Sequence, residues 1–215
     1  MTLAIVLIIS AAAAYLLGCI NGAILMSRAF FHEDIRQKGS GNAGLTNFYR
    51  TYGVRGAVLV IGIDMLKAAL SVLLGRILFS RFLGLPIPGA YWGGLWVILG
   101  HIYPCTFRFR GGKGILCAGM MLILLDWRIA VSGFGAFFLG VLLSRYISLG
   151  SILAIISFPI STYFVYRGED HFAYIFILCL LAAASTMWSH RSNVKRLLRG
   201  QENKFSFHGK KEGSQ

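Results

Sequence analysis

The stretch LAIVLIISAAAAYLLGCINGAIL, residues 3–25, decides the fold class of this chain. It carries no charged side chain and is longer than the ~20 apolar residues that a helix needs to cross a bilayer. No basic segment precedes it and further apolar runs follow it, which distinguishes it from a cleaved signal peptide. The sequence therefore predicts that residues 3–25 form a retained membrane helix.

Similar apolar runs recur along the whole chain of 215 residues, of which 56% are hydrophobic and 13% charged. This composition predicts an all-α polytopic membrane protein with one domain over residues 1–215, in which 199–215 form a short basic tail. About seven helices in one bundle are expected, at 3–25, 57–75, 89–105, 115–125, 129–143, 149–166 and 172–189. Because the runs at 115–125 and 129–143 are short for a full crossing, a five-span arrangement with re-entrant segments is the alternative.

The net charge of +13 is distributed unevenly between alternate connections. With seven crossings, one side holds only Arg76, Arg81, Arg128 and Arg167. The positive-inside rule then places the other side in the cytoplasm and the N-terminus outside. We attribute the charge to topology and anion binding, and expect no nucleic-acid partner. The cytoplasmic side would hold Arg28, Arg36, Lys38, Arg50, Arg55, Arg108, Arg110, Lys113, Arg145, Arg191, Lys195, Arg196, Arg199, Lys204, Lys210 and Lys211.

A first polar motif, Gly39-Ser40-Gly41-Asn42-Ala43-Gly44, interrupts the apolar pattern. It matches G-x-G-x-x-G, but a charged stretch precedes it where a dinucleotide site needs a buried strand. Glycine loops still bring backbone N–H groups close to phosphate on any fold. A helix beginning near Leu45 would bring Thr46, Asn47 and Arg50 towards one face and would add an N-terminal anion site. The alternative is a flexible solvated loop.

A second motif places Gly111-Gly112-Lys113-Gly114 after His101. Phe107 and Gly114 stand where a P-loop needs glycine and Ser or Thr, which disfavours nucleotide hydrolysis. A lysine between glycines still offers a mobile point charge for phosphate. The alternative is a basic loop that only sets topology, and His101 is equally well explained as a membrane-interface histidine.

A third motif follows the last apolar run, where His190 and Asn193 fall on one helical face. A basic helix end explains the neighbouring charges but neither of these two residues. Within the second run, Asp64 and Lys67 are spaced i and i+3, which favours a structural ion pair and leaves a supporting role at the site as the alternative. Ser151 could reach the same cleft from the sixth run, or could simply cap a helix.

The three motifs together resemble those of the bacterial acyl-phosphate:glycerol-3-phosphate acyltransferases, the PlsY family. That family's pattern is Gly-Ser-Gly-Asn-Pro-Gly-Ala-Thr-Asn-x-x-Arg, then His-x-Phe-Pro…Phe-x-Gly-Gly-Lys-Gly, then His-Arg-x-Asn. All three occur here in order, and the resemblance covers nearly the whole chain. The departures are Ala43 for proline, Leu45 for alanine and Tyr103 for phenylalanine. None of them removes a polar donor.

The resemblance implies transfer of a fatty acyl group from acyl phosphate to the 1-hydroxyl of sn-glycerol 3-phosphate, which gives lysophosphatidic acid and phosphate. It implies a multi-pass protein of the bacterial cell (inner) membrane with its active site at the cytoplasmic face. Beyond these two substrates and membrane lipid we expect no partner, no metal, no cofactor and a monomer. The implied catalytic residues are His190, Asn193 and Ser40, and the implied substrate-binding residues are Gly39, Gly41, Asn42, Gly44, Thr46, Asn47, Arg50, Gly112, Lys113 and Ser151.

The acceptor of the hydroxyl proton stays open between His190 and a substrate phosphate, whose second pKa is near 6. No Asp or Glu is adjacent to orient His190, which favours assistance by the substrate. Ser40 is a less favoured nucleophile, since no base lies near it in the sequence. The competing class is a small anion transporter, which would show inverted repeats and polar breaks near the membrane midplane rather than motifs at one surface.

Overall fold

The computed structural model describes residues 2–204, so the predicted tail beyond residue 204 lies outside the described residues. Within this range the chain is helical, which confirms the all-α prediction. The helices are α1 (Leu3–Cys19), α2 (Gly22–Phe31), α3 (Leu45–Tyr52), α4 (Val54–Leu83), α5 (Pro86–Ile102), α6 (Ile115–Leu125), α7 (Trp127–Ser144), α8 (Ile147–Tyr166), α9 (Phe172–Ser189) and α10 (Arg191–Leu198).

Five segments of the described chain are long and apolar enough to cross a membrane. They are Leu3–Phe31, Val54–Leu83, Trp127–Ser144, Ile147–Tyr166 and Phe172–Ser189. Helix α5 has 17 residues and α6 has 11, or roughly 25 and 16 Å, both less than the ~30 Å hydrocarbon core. The outward surface of the bundle carries many exposed Leu, Ile and Phe side chains, as expected of a lipid-facing protein.

The first apolar segment is broken, which the sequence did not predict. Helix α1 ends at Cys19, and Ile20 has an extended backbone. Asn21 then caps α2, because its side-chain oxygen accepts a hydrogen bond from the Ile24 N–H at 3.0 Å. The predicted helix over 3–25 is therefore two helices whose junction exposes backbone groups inside an apolar run.

Glycine contacts set the direction in which the central helices run. Gly75 of α4 packs against Gly89 of α5, and Gly93 packs against Ser71, so these two helices are antiparallel. Gly18 of α1 meets Gly100 near the end of α5, so α1 and α5 run the same way. At these positions a methyl group would collide with the facing backbone. Small residues thus allow the close helix packing that is typical of membrane bundles.

The remaining helices continue this alternation. Gly119 of α6 lies against Phe134 of α7, and Gly133 lies against Leu122, which makes α6 and α7 antiparallel. Gly140 meets Gly150, so α8 reverses again. As a result the connections 32–53 and 103–114 and the segment 190–204 come together at one end of the bundle. We call this the polar end.

Candidate active site

The first glycine motif is organised by Asn47, which lies beneath it. The side-chain oxygen of Asn47 accepts a hydrogen bond from the Ser40 N–H at 2.9 Å. Its amide nitrogen donates to the carbonyl oxygens of Lys38 and Asn42 at 3.0 and 3.1 Å, with that of Ile35 at 3.3 Å. Asn47 is buried and its amide is fully engaged by backbone. In the structure Asn47 therefore stabilises the conformation of the loop, whereas the resemblance implies direct contact with substrate.

Helix α3 begins at Leu45, as the sequence predicted. The Phe48 N–H makes the first backbone hydrogen bond of the helix, to Gly44 O at 3.1 Å. The N–H groups of residues 45–47 therefore precede the first helical bond and remain available to an anion. Gly39 and Gly41 have φ angles of +55° and +71°, which only glycine adopts readily and which turn the loop back over this helix end.

The second motif lies directly against the first. The Gly111 and Gly112 N–H groups donate to the carbonyl oxygens of Ile102 and His101, both at 3.1 Å, so the chain folds back over the end of α5. A methyl group on Gly112 would collide with the His101 ring and with the carbonyl oxygen of Ala43. The predicted Gly112 is thus needed for close approach, and it brings Lys113 beside the Gly39–Gly44 loop.

The third motif completes the cluster through Lys113. The Lys113 ammonium group donates a hydrogen bond to the side-chain oxygen of Asn193, and its carbonyl oxygen accepts one from the Ser189 hydroxyl at 3.0 Å. Burial lowers the pKa of Lys113 to about 8, with a further contribution from the positive charge of Arg196. The site therefore holds a lysine whose charge is poorly solvated and has an amide as its nearest partner.

His190 lies at the turn between α9 and α10 and is buried. Its Nδ1 atom is 2.8 Å from the carbonyl oxygen of Thr186, so Nδ1 carries the proton and Nε2 offers a lone pair. Burial lowers the pKa of His190 to about 4, and the nearby Lys113 charge acts in the same direction. The imidazole is consequently neutral near pH 7 and accepts hydrogen bonds at Nε2.

The other predicted site residues take different positions. Arg50 is exposed at the polar end and donates to the carbonyl oxygen of Asn203 at 3.3 Å. Ser40 is also exposed, and in the described chain no hydrogen bond joins its hydroxyl to a base. Asn42 and Thr46 flank the free helix end, and Gly44 packs against the Asn42 amide. Ser151 is buried and donates to the carbonyl oxygen of Ile147 at 3.0 Å.

An apolar cavity of about 480 Å³ opens beside these motifs, between helices α4, α6, α7, α8 and α9. Leu45 connects it to the first motif, Ile115 to Lys113, and Thr186 to His190. Deeper in the bundle it is lined by hydrophobic side chains, including Leu122 and Phe158. Its size lies within the range of cavities that hold small ligands. An apolar space therefore lies next to residues of all three motifs.

Comparison with known proteins identifies the family. The family model described as "Glycerol-3-phosphate acyltransferase" matches residues 8–200. The chain belongs to this family. It is 35% identical over 197 residues to the glycerol-3-phosphate acyltransferase of Thermoanaerobacter sp. (strain X514), covering 92% of this chain and 94% of that protein. It is 37% identical over 190 residues to glycerol-3-phosphate acyltransferase 2 of Bacillus anthracis, covering 88% and 94%.

Solved structures of the glycerol-3-phosphate acyltransferase family share this fold. The crystal structure of PlsY (YgiH), an integral membrane glycerol 3-phosphate acyltransferase, in its glycerol 3-phosphate form has a TM-score of 0.81 and 32% sequence identity. It covers 93% of this chain and 96% of that one. The lysophosphatidic acid form has a TM-score of 0.78 and 31% identity, covering 93% and 95%. The resemblance drawn from the three motifs is confirmed, and so is the integral membrane class.

Two further residues of this glycerol-3-phosphate acyltransferase family member lie at the site and were missed by sequence reasoning. Glu202 accepts hydrogen bonds from Asn193 at 3.3 Å and from Arg196 at 2.8 Å. The sequence explains Arg196 as one charge of a basic helix end, yet in the structure its charge contributes to the lowered pKa of Lys113. The available signal was the position of Glu202, an acidic residue in an otherwise basic segment close to the third motif.

Proposed function

We propose that this protein transfers a fatty acyl group from acyl phosphate to the 1-hydroxyl of sn-glycerol 3-phosphate, forming lysophosphatidic acid and phosphate. The observation that carries the proposal is the contact between Lys113 and Asn193, which joins the second and third motifs beside the first. An apolar cavity lined by the neighbouring Ile115 and Thr186 lies next to this contact. Two phosphorylated substrates and one acyl chain need this combination of cations, backbone donors and apolar space.

The anion-binding groups divide into two sets. Residues 45–47 offer backbone N–H groups at a helix N-terminus, with Ser40 and Asn42 beside them, and these suit the acyl phosphate. Lys113 and Arg50 offer charge for the glycerol phosphate, with Asn193 adjacent. Leu45 follows the first motif directly and lines the cavity. The acyl chain of a bound acyl phosphate would therefore extend from the phosphate-binding groups straight into apolar surroundings.

In the proposed reaction, the 1-hydroxyl oxygen attacks the carbonyl carbon of acyl phosphate, and the bond from that carbon to the phosphate oxygen breaks. Backbone donors of the first motif and nearby cations stabilise the negative charge that develops on the carbonyl oxygen and on the leaving phosphate. The hydroxyl proton passes to a phosphate oxygen. Acyl phosphate is already activated, so the scheme uses neither a covalent serine intermediate nor a cofactor.

His190 supports assistance by the substrate in this scheme. An imidazole whose pKa is about 4 is a weaker base than a phosphate monoester, whose second pKa is near 6. Its unprotonated Nε2 can instead accept a hydrogen bond from the substrate hydroxyl and orient it. His190 is thus assigned the placement of the nucleophile, and the phosphate is assigned the proton.

The proposal includes the orientation of the protein in the bacterial inner membrane. The polar end faces the cytoplasm, because the cytoplasmic connections of membrane proteins are enriched in lysine and arginine. The N-terminus then faces outside. In this arrangement α5 and α6 complete seven crossings despite their length, because the chain reverses direction at each of them. The functional unit is one chain, since all three motifs meet within it.

The decisive experiment is a choice of acyl donor. Purified protein in detergent should convert radiolabelled glycerol 3-phosphate to lysophosphatidic acid with acyl phosphate, and show no product with acyl-CoA or acyl-carrier protein. Among the described residues no soluble domain is present to dock such carriers. Comparable rates with acyl-CoA would overturn the donor assignment. A strict requirement for sealed vesicles would favour transport instead.

A further inference from the structure

A charged cluster inside the bundle is left unused by the proposed reaction. Asp64 and Lys67 of α4 and His101 of α5 are 1%, 3% and 3% exposed. The Lys67 ammonium nitrogen lies 2.9 Å from Asp64 Oδ1 and 2.8 Å from His101 Nδ1. Charged groups at such depth are expensive, and a buried pair kept only for stability is often replaceable by apolar side chains. Their presence therefore calls for a role that packing does not supply.

The cluster occupies the break between α1 and α2. Lys67 lies 3.1 Å from the carbonyl oxygen of Gly18 and 2.5 Å from that of Ile20, while Asp64 Oδ1 accepts a hydrogen bond from the Gly22 N–H at 3.2 Å. The ion pair thus satisfies backbone groups that the break exposes. Next to it, the Asn21 amide donates to the carbonyl oxygen of Ala43 at 3.1 Å, which ties the same break to the first motif.

The cluster also fixes the orientation of the His101 ring. An ammonium group has only donors, so Lys67 donates to Nδ1, and the ring proton of His101 is then on Nε2. The Nε2 edge of the ring lies against Gly112, next to the carbonyl oxygen of Ala43. A methyl group on Gly112 would collide with both His101 Nε2 and this carbonyl oxygen. Gly112 is held a second time by its backbone N–H, which donates to the His101 carbonyl oxygen at 3.1 Å.

We infer that Asp64, Lys67 and His101 form a positioning device that sets the distance between the two phosphate-binding motifs. One arm runs from the ion pair through the helix break and Asn21 to Ala43 in the first motif. The other runs through His101 to Gly112, next to Lys113 in the second. The inference rests on the proposed function. It makes His101 a residue that positions Lys113, and it requires no contact between His101 and the substrate.

The test compares His101 variants of the purified full-length protein in steady-state assays with both substrates varied. His101→Ala is expected to raise the KM for glycerol 3-phosphate by about tenfold or more while kcat changes less, because misplacing a binding group by a fraction of an ångström is costly. His101→Gln, whose side-chain oxygen can still accept a hydrogen bond from the Lys67 ammonium group, should recover much of the loss. His101→Leu keeps the bulk without an acceptor and should not.

Two further variants separate positioning from folding. Lys67→Met should shift the same KM, and the double variant Lys67→Met with His101→Ala should be no worse than the more affected single variant, because both changes interrupt one chain of contacts. Thr162→Val removes another buried polar group, which contacts Tyr91 at 3.1 Å and Cys179 towards the opposite end. It should lower the unfolding temperature and leave the KM unchanged.

The outcomes distinguish this inference from the proposed function. A wild-type protein without turnover on acyl phosphate contradicts the function itself. An active wild type combined with an unchanged KM in folded His101→Ala overturns the positioning role alone. Full recovery by His101→Leu also overturns it, since packing would then be sufficient.

Discussion

Lys113 illustrates how burial and charge are balanced at one of the residues that we propose bind phosphate. Its ammonium group contacts Asn193 rather than a carboxylate, while Glu202 is held by Asn193 and Arg196. A carboxylate in direct contact would compete with substrate for the lysine. An amide satisfies one donor and leaves the charge available, so the residue is stable while the site is empty and still attractive to an anion.

At this scale we expect Lys113→Ala and Arg50→Ala each to reduce activity by about two orders of magnitude without unfolding the protein. A charge-assisted hydrogen bond contributes roughly 1.5–3 kcal/mol, and more where water is scarce. Initial rates with acyl phosphate measure the effect. Arg199→Ala, which removes the same charge at an exposed position after α10, should be nearly silent. Near-wild-type rates for Lys113→Ala would contradict the placement of the substrate phosphate.

The lowered pKa of Lys113 predicts a pH dependence. Lysine is charged below its pKa and neutral above it, so the free protein loses this cation as the pH rises through about 8. The kcat/KM for glycerol 3-phosphate should therefore fall on the alkaline side of pH 8. In Lys113→Arg the guanidinium stays charged throughout, so the remaining activity should lack this decline. An identical decline in both proteins would assign it to another group.

Among the elements, the Gly39–Gly44 loop has a conformation that requires glycine at position 39. Gly39 has a φ of +55°, and a methyl group there would collide with the side-chain oxygen of Asn47. We expect Gly39→Ala to reduce activity by about tenfold or more, because the Asn47 hydrogen bonds that shape the loop would be displaced. Rates and thermal unfolding measured on the same sample report the two effects separately.

Gly84→Ala is the matched control for this loop. Gly84 has a φ of +72° at the end of α4, and nothing lies within 4 Å of its added methyl group. It should therefore share the backbone cost of about 1–2 kcal/mol for a left-handed residue without the collision. Equal loss of activity in both variants would show that lowered stability, rather than loop geometry, explains the effect of Gly39→Ala.

The sequence predicted helices where local hydrophobicity decides the structure. The run at 115–125 and that at 172–189 coincide with α6 and α9, and the start of α3 at Leu45 followed from the glycines before it. The break at Ile20 was not predictable, because its backbone groups are satisfied by Lys67, which lies far along the chain. The structural role of Asn47 was not predictable for a similar reason, since its hydrogen-bond partners are backbone oxygens that come together only in the folded loop.

At the scale of the whole molecule, the three motifs meet because α1, α5 and α9 all end at the polar end. Residue spacing could place Lys113 and Asn193 on the same side of a membrane but not in contact, since four helices separate them along the chain. The pairing of Arg196 with Glu202 depends instead on the turn after α10, where the Gln201 N–H donates to the Arg196 carbonyl oxygen at 2.8 Å. Only the packing of the bundle determines which basic residues become part of the site.

The arrangement predicts that the two ends of the chain lie on opposite sides of the membrane. Reporter cysteines at Thr2→Cys and Lys204→Cys, each in a Cys105→Ser background, should react differently with an impermeant maleimide applied to intact cells. Cys105 is replaced because it is an exposed native thiol. Position Ser214, in the predicted tail, lies outside the described residues, so Lys204 is the better reporter. Labelling of both from the same side would contradict an odd number of crossings.

The break after α1 has a consequence for biosynthesis. Until α4 has been made, the carbonyl oxygens of Gly18 and Ile20 have no lysine to accept from, and α4 in turn carries two charges into lipid unless α1 is already beside it. Each segment alone would therefore expose unpaired backbone groups or charges to lipid, which costs free energy. The nascent chain should therefore keep α1 near the insertion machinery and release the two helices into lipid as a pair.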